Sequence, residues 1–203
     1  GVDEKCFNRV PKQKKDEVLL RHNLAPEYFL YIGTLQPRKN ITRLLDAFLQ
    51  LPDELQRKHP LVIIGRNGWN CESLVERLNK LKTSNRVFWL DYVSFEDKYA
   101  LIQSSLAMVF PSLYEGFGLP LLEAFASDIP VITSNITSLP EVAADAAILV
   151  DPYSIDDISQ AMLNISTDEA LQSKMRIRGQ ERVKSFSWQN TAEKTASIYR
   201  QML

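Results

Sequence analysis

Two glutamates, Glu115 and Glu123, stand eight positions apart and bracket a turn that contains Gly116 and Gly118. A carboxylate accepts hydrogen bonds from hydroxyl groups, and its two oxygens can accept two such bonds at once. Glycines allow a backbone to approach an anion closely, because they carry no side chain. Hydroxyl acceptors beside an anion-binding backbone predict a site for a phosphorylated sugar or ribose.

A predicted strand and a predicted helix position this turn. Residues 106–110 form a short apolar run that ends at Pro111, as expected of a strand buried on both faces of a parallel sheet. Residues 119–127 predict a buried helix, and Pro120 suits its first turn, where a missing N–H costs nothing. The turn therefore meets a helix N-terminus, whose N–H groups and positive dipole end favour phosphate.

A second succession of strand, loop and helix lies earlier in the chain. Residues 28–33 predict a strand, and Asn40 is expected to cap a helix over residues 41–51. Arg38 and Lys39 lie on the loop between them, where they can reach a diphosphate at the carboxyl edge of the sheet. Each charge-assisted contact contributes about 1.5–3 kcal/mol. The alternative is a solvated basic loop.

The remaining pattern predicts an α/β fold, a Rossmann-like doubly wound parallel sheet with C-terminal helices. Further strands are expected at residues 61–65, 86–90, 129–133 and 147–150. Further helices are expected at residues 12–22, 71–81 and 95–103, in a short segment opened by residues 134–141, and from residue 154 to the end, with residues 189–203 as the last.

Composition limits the classes of function that the chain can have. The chain has 203 residues and a net charge of −1, which gives no argument for nucleic acid or an anionic membrane as partner. No apolar run approaches the roughly 20 residues that span a bilayer. Cys6 and Cys71 have no metal-ligand spacing and predict free thiols in a reducing compartment. The two histidines, His22 and His59, are expected in exposed helix ends. The sequence has no G-x-G-x-x-G motif, which argues against a nicotinamide dehydrogenase.

Residues 115–123, which read EGFGLPLLE, resemble the E-x7-E signature of retaining glycosyltransferases of the GT-B fold, family 4 in particular. The following AFASDIPVI is similar to the family's continuation, and GVDEKCF at residues 1–7 is similar to the linker between its two halves. The resemblance covers essentially the whole chain, as the C-terminal half of such an enzyme. It implies a nucleotide-sugar-binding domain over residues 1–185 and a helix over residues 186–203 that packs toward an absent N-terminal domain.

The resemblance also implies roles for individual residues. The implied catalytic residues are Glu115, Lys39 and Arg38. The implied donor-binding residues are Glu123, Gly116, Phe117, Gly118, Leu119, Gly33, Thr34, Arg66 and Tyr92. Glu123 would bind ribose hydroxyls and Glu115 sugar hydroxyls, while Lys39, Arg38 and backbone N–H groups would stabilise the departing diphosphate. No metal and no cofactor is implied.

Several of these assignments have alternatives. The family carries an arginine directly after the strand glycine, where this chain has Thr34, so Arg38 is a substitute by proximity only. Glu115 would otherwise cap a turn, and Glu123 would be a surface residue. Tyr92 would otherwise be a structural aromatic residue. Trp69, which would shield the site, would otherwise belong to the core.

The implied activity is transfer of a hexose from a nucleoside-diphosphate sugar to a polysaccharide or glycolipid acceptor, with retention of anomeric configuration, in the cytoplasm. The sequence of residues 33–40 resembles that of bacterial polysaccharide mannosyltransferases and indicates GDP-mannose as the donor. UDP-glucose is the alternative donor. The acceptor site, and any peripheral membrane association, would belong to the absent domain, so this chain alone should bind nucleotide weakly and transfer nothing. The alternatives are a sugar-nucleotide epimerase of the same fold and a non-catalytic nucleotide-binding module.

Overall fold

The computed structural model of the protein describes residue 2 and residues 4–202. Within these residues, six parallel strands form one sheet in the order β3-β2-β1-β4-β5-β6. The strands are β1 (Tyr28–Ile32), β2 (Leu61–Ile64), β3 (Val87–Leu90), β4 (Ser105–Phe110), β5 (Val131–Ser134) and β6 (Ile148–Val150). The order reverses between β1 and β4, which is the doubly wound arrangement of Rossmann-like folds. The predicted fold class is confirmed.

Continuous apolar runs form the central strands because helices cover both faces of the sheet. Every residue of β2 and of β4 is buried. In β1, two tyrosines and a phenylalanine are buried completely. Burial at successive positions explains why these strands lack the alternation of a half-exposed sheet.

The helices of the described chain join and cover these strands. They are α1 (Lys12–Arg21), α2 (Ile41–Leu49), α3 (Asp53–Lys58), α4 (Glu72–Leu81), α5 (Phe95–Gln103), α6 (Leu119–Ala126), α7 (Leu139–Ala143), α8 (Ile155–Thr167), α9 (Glu169–Val183) and α10 (Trp188–Met202). Short 3-10 turns occupy Glu4–Phe7, Pro37–Lys39 and Lys82–Ser84. Gly1, Asp3 and Leu203, which belong to the predicted linker and last helix, lie outside the described residues.

The C-terminal segment is divided into three helices, and the predicted separation of the last helix is joined by a second break, between α8 and α9. Asp168 ends α8 in extended backbone, and its carboxylate accepts a hydrogen bond from the N–H of Leu171 at 2.9 Å, which caps α9. Helix α3 was not predicted, because its six residues are mostly charged and show no apolar period.

The prediction that His59 is exposed is wrong. Its side chain is buried at the C-terminus of α3, and its Nδ1 lies 2.6 Å from the carbonyl oxygen of Glu27. The ring also meets the edge of Phe29, with 6.3 Å between ring centroids. A polar sequence neighbourhood does not reveal this burial, since it depends on contact with β1 and the loop before it.

Candidate functional site

The loop after β1 and the turn after β4 meet at the carboxyl edge of the sheet, where the strand order reverses. The N–H of Leu113 donates to the carbonyl oxygen of Arg38 at 2.8 Å. The guanidinium of Arg38 returns a hydrogen bond to the carbonyl oxygen of Tyr114 at 3.0 Å. The two segments that were predicted to carry chemistry therefore touch, at the place where ligands bind in open α/β sheets.

Three charged side chains form the centre of this contact, and we call them the Glu115 cluster: Lys39, Arg38 and Glu115. Lys39 Nζ lies 2.5 Å from Glu115 Oε1, and Arg38 Nη1 lies 3.3 Å from Glu115 Oε2. The Lys39 and Glu115 side chains are only 12% and 10% exposed. The three predicted catalytic residues are thus brought together, and each oxygen of the carboxylate faces a cation.

Asn40 holds the neighbouring loops together instead of capping α2, so the predicted capping role is wrong. It adopts a left-handed conformation with φ of 61°, and no side-chain capping bond to α2 is found in the described chain. Its buried amide nitrogen donates to the carbonyl oxygens of Pro111, at 3.0 Å, and Pro152, at 2.7 Å. Asparagine tolerates this conformation better than most residues, and its amide ties the Lys39 loop to two other segments.

The glycine turn enters α6 through Gly118, which has φ of 106°. A Cβ there would lie 2.8 Å from Leu139 Cδ2, the end of a side chain that can shift, so the backbone conformation is what calls for glycine. Ser138 also supports the turn, because its hydroxyl donates to the carbonyl oxygens of Glu115 at 2.9 Å and Phe117 at 3.2 Å. This contact, which the sequence did not reveal, anchors the main chain of Glu115.

The N-terminal rim of α6 is less buried than predicted. Leu119, its first residue, is exposed, and Phe117 in the turn is exposed as well. At Gly116, no described heavy atom outside this glycine and its two chain neighbours lies within 4 Å of the place that a Cβ would occupy. The rim of the turn therefore presents backbone and apolar side chains to open space, with the helix start beside it.

Glu123 lies farther along α6 and pairs with a residue that sequence reasoning missed. Lys98 Nζ, on α5, lies 2.6 Å from Glu123 Oε1. Both side chains are about one-fifth exposed, at 21% and 19%. One carboxylate oxygen is thereby held in place, whereas hydrogen-bond capacity is left on the other. No local pattern joins these residues, because they lie 25 positions apart on different helices.

The loops after β1 and β2 run side by side near Gly33 and Thr34. The N–H of Leu35 donates to the carbonyl oxygen of Arg66 at 2.9 Å. A Cβ on Gly65 would lie 1.9 Å from the carbonyl oxygen of Gly33, so the approach of the two backbones requires glycine. This contact places Arg66 next to the loop that leads to the Glu115 cluster.

Arg66 and Tyr92 form an exposed pair on the loops after β2 and β3. The guanidinium carbon of Arg66 lies 5.1 Å from the centroid of the Tyr92 ring, in a cation–π contact. Tyr92 is 65% exposed, so it is not a core aromatic residue. Trp69, at 57% exposure, does not belong to the core either. Exposed aromatic rings are thus available for stacking near the loops that follow β2 and β3.

Tyr31 lies beneath the site, stacked on Phe110 with 5.8 Å between ring centroids. Its hydroxyl is buried and has no hydrogen-bond partner within the described residues. Burial raises the pKa of Tyr31, and the charge of Glu115 raises it further while Arg38 opposes the rise. Lys39 Nζ lies 5.0 Å from the centroid of the same Phe110 ring. Stacked aromatic rings therefore form the floor under the Glu115 cluster.

Among residue 2 and residues 4–202, no group of three His, Cys, Asp or Glu side chains is placed to hold a metal ion. Across the same residues, every helix is too short or too polar to cross a bilayer.

The family model described as glycosyl transferases group 1 matches residues 12–182. The O-antigen chain mannosyltransferase B of Escherichia coli is 40% identical over 184 residues, which cover 90% of this chain and 48% of that protein. A glycogen synthase of Mycobacterium tuberculosis is 30% identical over 184 residues, 88% of this chain and 44% of that protein. Among solved structures, a sucrose-phosphate synthase of Thermosynechococcus elongatus matches all of this chain and 51% of its own, with a TM-score of 0.82 and 26% identity. The chain thus spans about half the length of these relatives.

Proposed function

Since this chain belongs to the glycosyl transferases group 1 family, we propose that it is the donor-binding half of a retaining, GT-B-type glycosyltransferase of family 4. The observation that carries the proposal is the Glu115 cluster, in which two cations and a carboxylate meet at the carboxyl edge of the sheet. This edge, at a change of strand order, is the general ligand site of such folds.

The diphosphate of a nucleotide sugar lies against Lys39 and Arg38 in this proposal, with the backbone of the glycine turn and the start of α6 beside it. Positive groups at this point stabilise the charge that develops on the departing nucleoside diphosphate, and electrostatic stabilisation of this kind is commonly the largest catalytic term. Arg38 replaces the arginine that the family carries at the position of Thr34. The contact of Arg38 with Glu115 supports this replacement.

The two glutamates bind hydroxyl groups. Glu115 accepts hydrogen bonds from the sugar and holds it for attack at the anomeric carbon. Glu123 accepts them from the ribose, in an orientation that the pair with Lys98 supports. Arg66 and Tyr92 present the flat surface for the base, and Gly33 and Thr34 form the neighbouring wall.

The donor is GDP-mannose in the first instance, because a relative that is 40% identical to this chain is a mannosyltransferase. UDP-glucose remains the competitor. The acceptor, a polysaccharide or glycolipid, is bound by an N-terminal domain outside this chain, and the reaction takes place in the cytoplasm. Residues 1–185 form the donor-binding unit. The last helix, α10 (Trp188–Met202), packs toward the other domain in this proposal, which agrees with the lack of buried residues among its described positions.

The first test is calorimetric titration of the chain with GDP, UDP, GDP-mannose and UDP-glucose, for the wild type and for Glu123→Ala. The variant should lose at least about tenfold in affinity, because ribose hydroxyls lose a charged acceptor. Its melting temperature should fall by only a few degrees, since Lys98 stays about one-fifth exposed and its long side chain can turn to solvent when its partner is removed. Glu54→Ala, on the exposed surface of α3, is the matched control.

Equal binding by wild type and Glu123→Ala would remove Glu123 from the site. Transfer assays then separate the remaining candidates in a protein that also carries the N-terminal domain. Binding without turnover there favours a non-catalytic module, and release of an epimerised sugar nucleotide favours the epimerase.

A further inference from the structure

In the structure, Glu115 is the anion that neutralises both cations of its cluster. One carboxylate oxygen faces Lys39 and the other faces Arg38, at 2.5 and 3.3 Å. The Lys39 and Glu115 side chains are about nine-tenths buried. A carboxylate removed from water to this extent depends on its partners, because an unpaired buried charge is costly.

A diphosphate needs the same two cations that Glu115 uses. When Lys39 and Arg38 turn to an incoming diphosphate, the carboxylate loses its partners. The main chain that carries it stays in place, since the hydroxyl of Ser138 donates to the carbonyl oxygen of Glu115 at 2.9 Å and the N–H of Leu113 donates to the carbonyl oxygen of Arg38 at 2.8 Å. Glu115 therefore remains beside the diphosphate as an unpaired negative charge, which opposes binding of the second anion.

The sugar of an intact donor removes this penalty. Its hydroxyls are neutral hydrogen-bond donors, and Glu115 can accept from two of them at once. The diphosphate then binds Lys39 and Arg38, while the hydroxyls of the sugar donate to the Glu115 carboxylate. A bare nucleoside diphosphate supplies only the first half of this exchange.

On the basis of the proposed function, we infer that Glu115 makes the site select the intact nucleoside-diphosphate sugar over the bare nucleoside diphosphate. The same residue that positions the sugar also weakens the hold on the product once the sugar has left. Glu115 is thus a specificity-determining residue as well as a substrate-binding one, and product release is built into the ion cluster.

The consequence is unusual for a binding-site substitution. Glu115→Gln keeps the shape of the side chain and removes its charge. It should raise the affinity for the bare nucleoside diphosphate by roughly tenfold, because the competing and then unpaired charge is gone. The affinity for the nucleotide sugar should fall or stay the same, because an amide is a weaker acceptor for hydroxyls than a carboxylate.

The experiment is isothermal titration of the chain with GDP and GDP-mannose, and with UDP and UDP-glucose, for the wild type, Glu115→Gln and Glu54→Gln. Glu54→Gln makes the same change of charge at an exposed position of α3 and should leave both affinities unchanged. Thermal melting of each variant checks that it is folded. The wild type alone also provides a test, since it should bind the nucleotide sugar more tightly than the matching diphosphate.

The outcomes separate this inference from the proposed function. A higher diphosphate affinity in Glu115→Gln, with a reversed preference between the two ligands, supports it. The inference is overturned if the variant loses affinity for both ligands equally or binds both as the wild type does. It is also overturned if the wild type prefers the bare diphosphate, and in all three cases the proposed donor site stands. If the wild type binds none of the four ligands, the proposed function itself fails.

Discussion

Tyr28 and Tyr31 lie on the same strand, are both fully buried, and differ in what their hydroxyls meet. The hydroxyl of Tyr28 donates to the carbonyl oxygen of Leu101 at 2.7 Å. That of Tyr31 has no partner in the described part of the chain. A buried hydroxyl without a hydrogen-bond partner destabilises the folded state, whereas a hydrogen-bonded one stabilises it.

Removing the two hydroxyls should therefore have opposite effects on stability. Tyr28→Phe should lower the free energy of unfolding by about 1 kcal/mol, while Tyr31→Phe should leave it unchanged or raise it. Urea denaturation of both variants provides the comparison, and each serves as the other's control. Equal losses would mean that the Tyr31 hydroxyl has a partner, such as a buried water.

At the residue scale, the charged residues of the candidate site were predictable from the sequence. Most of the side chains and carbonyl groups that they contact were not. Lys39 and Glu115 were singled out because each lies on a loop after a predicted strand and matches a residue of the family that the sequence resembles. Lys98 was not, since a lysine that follows two acidic residues in the first turn of α5 looks like a solvated surface residue. Its pairing with Glu123 depends on how α5 packs beside α6.

At the scale of elements, two loops are joined by a contact that admits only glycine. A Cβ on Gly65 would lie 1.9 Å from the carbonyl oxygen of Gly33, and main chain cannot move aside as a flexible side chain can. Gly116 is the contrast. No described heavy atom beyond its two chain neighbours lies within 4 Å of its Cβ position, and its φ is not positive.

Gly65→Ala should therefore destabilise the protein by at least about 1–3 kcal/mol, through strain or separation of the two loops. Gly116→Ala should melt close to the wild type, so that any loss of nucleotide affinity in it reports on the ligand alone. Differential scanning calorimetry measures both. A Gly65→Ala variant that melts like Gly116→Ala would contradict the close approach of the loops.

Helix prediction followed the apolar period and failed where that period was missing or interrupted. The period of α2 and α4 is clear, and both helices occur where they were expected. The break between α8 and α9 was missed, because Asp168 acts there as a cap and not as a surface residue.

For the whole molecule, burial of ionisable groups sets the response to alkaline pH. Burial raises the pKa of Tyr28 and of Tyr31 above their ordinary value of 10.0. Burial also raises the pKa of the Cys71 thiol above 9.0, with Glu72 adding to the rise and a hydrogen bond from the backbone of Gly68 opposing it. In each case the folded protein holds a proton that the unfolded chain releases.

Stability should consequently be constant with respect to these groups below about pH 9 and should fall as the pH rises past 9 and then 10. Each tyrosine that ionises only in the unfolded chain contributes a slope of about 1.4 kcal/mol per pH unit. Urea midpoints between pH 8 and 11 measure the decline. The double variant Tyr28→Phe/Tyr31→Phe should decline less steeply, and an unchanged slope would assign the alkaline loss to other groups.

The sequence by itself determined the class of fold and the two segments that carry charge and glycine. Apolar runs and helical periods are local properties, and glycine beside a helix start has a local physical meaning. The tertiary structure decided which of these segments meet. Lys39 and Glu115 are 76 positions apart, and Asn40 and Pro152 are 112 apart, so their contacts depend on strand order and loop packing. Such contacts arise only when the whole sheet is assembled, because no short stretch of chain contains both partners.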